Sequence, residues 1–349
     1  MEPAAQGTRL KASRGPRGKA PAVLIVLGCA SLASVLLACA VGSVSVSLHE
    51  LLSALADIVR GEPSTLAATL LELRLGRALA AFVTGAALAL AGVMMQALLR
   101  NPLADPYVLG VSGGASVGAL AAILLFGSAW MVDMAAFGGA IAVAVLLLAL
   151  AYRDLRGGLP AEGNAPMLLL TGVIVSAGCG ALVTLMLSIA PDNRLRGMVF
   201  WLIGDLSATQ NRLLPWLVWI AGFVYAVRVA RQVNLLALHA AAAATLGVQV
   251  GRLRQGLFLC SALLTASAVS SAGSIGFVGL IVPHACRFAL GPDHRLLLPA
   301  ASLAGGAFLV LADTLARSVL APQQLPVGVI TALIGVPVFL LQLHHLHRK

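Results

Sequence analysis

Long apolar runs separated by short polar segments dominate the pattern of this chain. Apolar runs of about 20 residues recur, and a helix of that length crosses roughly 30 Å of hydrocarbon. The pattern therefore predicts an all-α polytopic membrane protein with about ten transmembrane helices. We place the spans at 21–41, 78–99, 108–126, 131–151, 166–189, 213–230, 256–272, 275–290, 297–319 and 327–345.

The seventh and eighth spans come from one long uncharged region, Gln255–Cys286, which exceeds the length of an ordinary helix. Gly273, Gly276, Gly279 and Pro283 interrupt it. Two short, partly unwound segments are therefore predicted in place of one helix. Since non-helical backbone survives at membrane depth only where protein or a water-filled path covers it, we expect this region near an interface or a pathway.

The distribution of charge predicts the orientation. The chain has 23 Lys and Arg against 13 Asp and Glu, but only 10% of its residues are charged. The positive-inside rule places the basic tail 1–20 in the cytoplasm, and with ten spans the tail 346–349 is cytoplasmic too. Sixteen of the 23 basic residues then lie on the cytoplasmic side, and merging spans seven and eight worsens this bias. We interpret the net charge of +10 as topogenic rather than as a nucleic-acid surface, around one transmembrane domain, 21–345.

Two segments outside the spans have helical character. Ser47–Arg60 is amphipathic, begins with a capping-box pattern, and is expected to lie along the outer interface. Asn234–Gly247 is rich in alanine and is predicted as a helix on the cytoplasmic side. It either offers small side chains to a partner or is a plain linker helix.

Small residues and cysteines indicate packing rather than chemistry. Gly110, Gly114 and Gly118 are four apart, so we expect them on one helix face that lets another helix approach closely. The five cysteines fall within apolar runs, where they act as small packing residues. Three histidines near the C-terminus are more consistent with a polar tail than with a metal site.

The sequence excludes most enzymes. It has no glycine-rich loop for ATP phosphates and no metal-ligand spacing such as H-E-x-x-H. Ionisable residues are almost absent from the middle of the spans, whereas an ion-coupled carrier needs some as a relay. We therefore predict no catalytic residues and no metal or cofactor bound by this chain. A transporter of this kind needs an external energy source, which favours a partner ATPase.

A series of short motifs runs in order from about residue 70 to 340. They are Leu73–Arg77, Gly85–Gly92, Gln96, Asn101–Pro106, Leu109–Ala115, Phe200–Ser207, Gly276–His284, Asp293–Arg295, Asp313 with Arg317, and Leu325–Gly328. Together they are similar to the FecCD family of ABC importer permeases, which take up ferric siderophores, haem and cobalamin.

The resemblance implies a ten-span permease with a type II importer fold, working as a homodimer in a bacterial inner membrane. The substrate path is expected between the two copies. Two cytoplasmic ATPase subunits, which bind the ATP and Mg, are expected to drive it, and an extracytoplasmic binding protein to deliver the chelate. Two alternatives stay open: a secondary active transporter without an ATPase partner, and a purely structural membrane subunit.

The resemblance also implies two partner surfaces. At the outer face, it implies that Arg74, Arg77 and Arg317 face outward and bind acidic residues of the binding protein. In the alternative, these arginines only extend their charged groups to the membrane–water interface. Arg317 could instead pair with Asp313 four residues earlier. On the cytoplasmic side, ATPase coupling is expected at Leu238, His239, Ala240, Ala242, Leu246 and Gly247. Here the chain departs from the family, because alanines follow His239 where an acidic residue is common.

The remaining motif residues are expected to be architectural. Asn101 and Asp105 can accept bonds from freed backbone amides, while Pro102 and Pro106 end one helix and aim the next. The predicted structural set is Gln96, Asn101, Pro102, Asp105, Pro106, Gly110, Gly114, Gly118, Gly276, Gly279 and Pro283.

Overall fold

A computed structural model describes residues 20–42, 53, 65–152, 155, 165–207 and 213–347. Those residues form twelve α-helices and one 3-10 turn, and no strand occurs among them. The basic tail before Ala20 and the last two residues lie outside the described residues. So does the predicted amphipathic segment Ser47–Arg60, apart from Ser53.

The helices correspond to the predicted spans. They are α1 (Ala20–Ala40), α2 (Leu66–Leu99), α3 (Val111–Leu125), α4 (Ala129–Leu150), α5 (Ala165–Ile189), α6 (Asp192–Ile203), α7 (Leu213–Leu238), α8 (Ala240–Thr245), α9 (Val250–Ala272), α10 (Val278–Leu290), α11 (His294–Ser318) and α12 (Val327–His347). Seven of them are long and apolar enough to cross a membrane, and α3, α10 and α12 contain shorter apolar helices. Each of the ten predicted spans overlaps one of these ten helices, which confirms the all-α membrane fold.

Hydrogen bonds between loops and helix ends define two ends of the helix bundle. At one end, Arg100 donates to the carbonyl oxygen of Leu238 over 3.2 Å. At the other end, Arg194 of α6 donates to the last carbonyl groups of α3, at 2.7 Å for Ile123. We call the Arg100 end the inner end, because the positive-inside rule predicts it to be cytoplasmic, and the opposite end the outer end.

Helix α2 is the centre of the fold. It has 34 residues, and nearly all of them from Ala78 onward are buried. A helix that is apolar all round is covered on every side, and here α11, α9, α10, α7 and α1 cover it. Its glycines allow backbone contact: a β-carbon at Gly85 would lie 2.2 Å from the carbonyl oxygen of Gly305 in α11. Close backbone contacts at small residues therefore add to the packing of large buried side chains such as Leu88, Met94 and Met95.

The predicted glycine face is correct for two residues and wrong for the third. β-carbons at Gly114 and Gly118 of α3 would lie 2.4 and 2.0 Å from carbonyl oxygens of α4, so both sit at one helix contact. Gly110 instead precedes α3, with a left-handed φ of +77°, and faces Ser176 of α5. Its amide closes the 3-10 turn Pro106–Leu109, so α3 begins one residue later.

The predicted break between spans seven and eight is present, but two of its four expected breakers lie elsewhere. The backbone leaves the helix at Gly273 and re-enters it after Phe277, and both have φ of +71°. Gly279 and Pro283 lie inside α10. Pro283 has no amide for the carbonyl four residues earlier, and the carbonyl oxygen of Gly279 packs against Gly92 of α2 instead. Only α10 is short, since α9 begins at Val250 and has 23 residues.

Candidate functional site

Three sequence motifs that are far apart in the chain meet at one backbone contact, which we call the glycine junction (Gly204, Gly273 and Gly328). A β-carbon at Gly328 would lie 1.7 Å from the carbonyl oxygen of Ile203, and one at Gly273 would lie 2.3 Å from that of Trp201. The amide of Gly328 also donates to the carbonyl oxygen of Gly204, at 3.3 Å. The junction joins the end of α6 to the α9–α10 break and to the start of α12.

The Asn101–Pro106 segment caps its own backbone as the sequence predicted. Helix α2 ends at Arg100, which has a left-handed φ of 50°. The side chain of Asn101 accepts a hydrogen bond from the Leu103 amide at 2.9 Å, and Asp105 accepts one from the Tyr107 amide at 2.8 Å. Pro106 then begins the 3-10 turn, while Pro102 lies exposed between the two capping residues.

Asp105 is the buried acid of this segment. Burial raises the pKa of its carboxyl to about 6, and the hydrogen bond from the Tyr107 amide opposes that rise. The two effects have opposite sign because burial disfavours the charged form and the amide favours it. The neighbouring Pro106 packs against Gly279 of α10, with Cδ 3.2 Å from the position of a β-carbon.

Gln96 ties α2 to α10 next to this segment. Its Nε2 donates to the carbonyl oxygen of Leu280 at 3.3 Å, and its Oε1 is buried with no hydrogen-bond partner. Gly276, in contrast, has open space around the position of a β-carbon. The predicted structural residues therefore fall into close helix contacts, backbone caps and one open linker position.

At the outer end, Arg77 binds Asp313 through one edge of its guanidinium group, with two parallel hydrogen bonds. Its Nε lies 2.9 Å from Oδ2, and a terminal nitrogen lies 2.8 Å from Oδ1. Arg77 also donates to Gln324 at 2.9 Å, on the exposed side of the pair. Arg317 lies farther from the same carboxylate, at 3.9 Å, and donates to Thr314 and to the carbonyl oxygen of Ala38.

Arg74 does not share the partner of Arg77, although the two are three residues apart. It is 7% exposed and donates to the carbonyl oxygens of Cys39 and Ala40, at 3.0 and 3.3 Å. The last carbonyl groups of a helix have no partner within the helix, so Arg74 and Arg317 complete the end of α1. Among the described residues, the guanidinium groups of Arg74 and Arg317 are thus buried in contacts between α1, α2 and α11, and the Arg77–Gln324 edge is exposed. Their role in docking stays a prediction.

At the inner end, the predicted Asn234–Gly247 helix is wrong as a single element. Helix α7 continues to Leu238, His239 is extended, and α8 contains only Ala240–Thr245. Gly247 follows α8 with φ of +82°. The chain leaves the helical conformation at His239, which has φ of −160° and ψ of 141°, and α8 begins at the next residue.

The predicted coupling residues divide into exposed and buried positions. Leu238 and Leu246 are 67% and 66% exposed, and His239, Ala242 and Gly247 are exposed as well. Ala240 is buried, because it faces the bundle. Helix α8 therefore presents an uncharged surface with a leucine on each flank.

A side-chain cluster that the sequence did not reveal joins α7 to α11 near α8. The Asn234 amide nitrogen donates to Asp293 at 2.7 Å, and its oxygen accepts from the backbone amide of His294 at 2.9 Å. A ring nitrogen of His294 lies 2.8 Å from the same oxygen. Asp293 also caps α11 through the Arg295 amide. We call these three residues the inner corner; the D-H-R motif could have suggested the cap but not the partner on α7.

The second half of α5 exposes a row of small residues, whereas the first half of the same face exposes Leu170, Val173 and Ile174. Ala177, Ala181, Thr184 and Ser188 recur at helical spacing and are all exposed. The hydroxyl groups of Thr184 and Ser188 donate to carbonyl oxygens of their own helix, at 2.9 and 2.8 Å. Nothing lies within 4 Å of a β-carbon placed at Gly178 or Gly180. The period of small residues was visible in the sequence, but its exposure was not.

Helix α6 was also missed. It has only 12 residues, and Asp192, Arg194 and Arg196 made it look like a polar loop. Among the residues that the structure describes, no group of three His, Cys, Asp or Glu side chains could hold a metal ion.

Known proteins share this architecture. The model of the FecCD transport family matches residues 29–345. The cobalamin import system permease protein of Halobacterium salinarum is 43% identical over 287 residues, which cover 80% of this chain and 74% of that protein. The hemin transport system permease protein of Yersinia pestis is 42% identical over 280 residues, which cover 77% and 81%. A solved metal-chelate type ABC transporter in an inward-facing conformation has a TM-score of 0.80 and 29% identity, covering 93% of this chain and 99% of that chain.

The fold and the order of the motifs define a polytopic helical permease of the type II ABC importer class. The chain belongs to the FecCD transport family. This confirms the resemblance that the sequence motifs indicated.

Proposed function

We propose that this chain is the membrane-spanning subunit of an ATP-driven importer for a metal chelate such as cobalamin or haem. The relatives named above, one for cobalamin and one for hemin, cover about four-fifths of this chain at more than 40% identity. The similar solved structure is likewise of metal-chelate type. The sequence excludes ATP hydrolysis by this chain itself, because it lacks a phosphate-binding loop.

The exposed face of α5 is the observation that carries the proposed mechanism. Lipid favours large apolar side chains, yet the second half of this face, from Ala177 onward, presents Ala177, Ala181, Thr184 and Ser188. These side chains are small, and the hydroxyl groups are hydrogen-bonded to carbonyl oxygens of their own helix. Such a weakly polar surface lets a bulky chelate pass without tight binding. We infer that two copies of the chain face each other across a path that α5 lines.

The second exposed surface supports a homodimer. Helix α12 exposes Leu333, Val336, Leu340 and Leu341 at helical spacing, so they share one apolar face. A second copy that covers this face would enclose the path from the side. The substrate would then cross by alternating access, open first to one side of the membrane and then to the other.

The partners are assigned to the two ends. Helix α8 offers the ATPase subunits a shallow uncharged surface at the inner end, and two such subunits would serve two permease copies. The extracytoplasmic binding protein would dock at the outer end, where Arg77 and Gln324 form the accessible edge of the arginine network. We place the assembly in a bacterial inner membrane.

Reconstitution tests this proposal directly. Proteoliposomes holding the chain and its ATPase subunit, with the binding protein and ATP, should accumulate cobalamin, haem or a ferric siderophore. The control replaces ATP with a nonhydrolysable analogue, which should abolish uptake. Uptake driven by a proton gradient without ATP would contradict the proposal and favour a secondary transporter. Chemical cross-linking in the same membranes should give a species of twice the chain mass.

A further inference from the structure

A pocket of 440 Å³ lies beside α8, between the end of α7 and the start of α9. Polar groups from both helices line it: Tyr225 and Gln232 from α7, and Gln249 and Arg252 from the start of α9. Gly247, two residues after the end of α8, also lines the pocket. The pocket and α8 therefore belong to one continuous surface at the inner end.

Arg252 is the charged group of this pocket. It is exposed, and one of its terminal nitrogens donates to Oε1 of Gln249 at 2.8 Å, which directs the guanidinium group along the pocket. The ion pairs of the described residues do not include Arg252. A planar guanidinium held in this way is suited to bind a carboxylate through two parallel hydrogen bonds.

Among the residues that the structure describes, the two acids at the inner end, Asp105 and Asp293, are already engaged. Asp105 is buried and caps the 3-10 turn. Asp293 bonds Asn234 and caps α11. Helix α8 itself, with the sequence Ala-Ala-Ala-Ala-Ala-Thr, carries no charge that could orient a partner. An electrostatic contact at this surface must therefore come from a neighbouring residue, and Arg252 is the one that lies in a pocket.

We infer that this pocket receives an acidic side chain of the ATPase subunit and that Arg252 pairs with its carboxylate. This inference rests on the proposed function, since it requires an ATPase that docks on α8. A protein that covers α8 also covers the pocket edge at Gly247, so the occupant is that same partner. In this chain, α8 fits the docking groove of the ATPase by its shape, and Arg252 provides the charged contact. The ATPase carries the matching acidic residue beside that groove.

The inference is tested by the affinity of the purified ATPase subunit for the chain in phosphatidylcholine nanodiscs, measured at 50 mM and 300 mM NaCl. Arg252→Glu should weaken binding about tenfold or more at low salt, with a smaller effect at high salt. The affinity of Arg252→Lys should lie between those of the wild type and Arg252→Glu. Lysine keeps the positive charge but cannot form the two parallel hydrogen bonds of a guanidinium group. The matched control is Arg295→Glu, which makes the same charge change at an exposed residue of the same end and should leave binding unchanged.

Second-site changes identify the partner acid. Replacing Asp and Glu residues around the ATPase groove with Arg, one at a time, should yield one variant that restores binding to Arg252→Glu. Equal affinity of Arg252→Glu and the wild type would overturn the inference and leave the proposed function intact. Failure of the wild-type chain to bind the ATPase would overturn both. A defect of Arg252→Glu seen only with anionic phosphatidylglycerol in the nanodiscs would assign the pocket to a lipid headgroup and reject the ATPase acid.

Discussion

Asp313 is bound by Arg77 of another helix rather than by Arg317, its neighbour one turn away. The carboxylate lies 2.8 Å from a terminal nitrogen of Arg77 but 3.9 Å from the Nε of Arg317. Both side chains of the closer pair are nearly buried, at 12% and 3% exposure. The pair connects α2 to α11 at the outer end, where the ends of α1 and α2 also meet.

Breaking this pair should destabilise the fold. Arg77→Gln leaves Asp313 charged and without its main partner, and removing one member of a buried pair costs about 3 to 5 kcal/mol. The apparent melting temperature in detergent should fall clearly, and Arg77→Gln with Asp313→Asn should recover part of the loss. Arg196→Gln, on the exposed surface of α6, serves as control. If Arg77→Gln melts like the wild type but loses affinity for the binding protein, the pair acts in docking and not in stability.

The contact of α2 with α10 should not tolerate a methyl group. A β-carbon at Gly92 would lie 1.9 Å from the carbonyl oxygen of Gly279, and backbone cannot move aside as a flexible side chain can. Gly92→Ala should therefore greatly reduce the yield of monodisperse protein in size-exclusion chromatography. Gly178→Ala, where no atom lies within 4 Å, makes the same chemical change and should be tolerated. Similar yields for both variants would show that the two helices can separate without cost.

Asp105 should make stability depend on pH. Because burial raises its pKa to about 6 in the folded chain, the folded state binds the proton more tightly than the unfolded state does. The resulting stability is present below about pH 4 and is lost as pH rises through about 6. Asp105→Asn keeps the capping oxygen without the charge, so it should melt above the wild type at pH 7.5 and near it at pH 4. A pH-independent gain for Asp105→Asn would refute the assignment.

The small-residue face of α5 should be accessible to water. In a chain whose five cysteines are replaced by alanine, a cysteine at Thr184 should react with a charged, membrane-impermeant maleimide in nanodiscs. Thiol reaction requires the thiolate, which forms in water and not in lipid. Leu36→Cys, on the exposed apolar face of α1, should react at least about tenfold more slowly. The opposite order of rates would place α5 against lipid and the path elsewhere.

Helix α8 should lose its partner when it is enlarged. Ala242 is exposed, so Ala242→Trp leaves the fold intact but adds bulk where the ATPase is expected to dock. We expect at least about tenfold less ATPase in the purified complex, as for loss of a central interface contact. Val199→Trp, exposed on α6 at the outer end, is the control for the added indole. Normal ATPase content with Ala242→Trp would move the docking surface away from α8.

The helices of this fold were predictable because lipid requires apolar runs of fixed length. The ends of the helices were harder to predict. Helix α2 begins at Leu66 rather than near residue 78, because Glu72, Arg74 and Arg77 lower the hydropathy of its first turns. Helix α6 is charged and short, and α8 is separated from α7 only by the extended backbone of His239. Such boundaries depend on contacts that the local sequence does not contain.

The sequence did not predict which groups the three arginines of the outer end contact. Spacing put Arg74 and Arg77 on one face and Arg317 one turn from Asp313, yet each arginine takes a different main partner. Those partners are helix-end carbonyls and an acid more than 200 positions away, which only the packed fold brings near. Capping by Asn101 and Asp105 was predictable, because it acts over two residues.

Helix α11 connects the two ends of the molecule. Asp293 is fixed to Asn234, close to α8, and Asp313 is fixed to Arg77 at the far end of the same helix. The 20 residues between them span about 30 Å, so a tilt of about 5° around the Asn234 contact would move Asp313 by about 3 Å. That displacement equals the whole length of the hydrogen bond to Arg77. Helix α11 thus has the geometry of a lever arm, in which a small rotation at one end is enough to open or close an ion pair at the other.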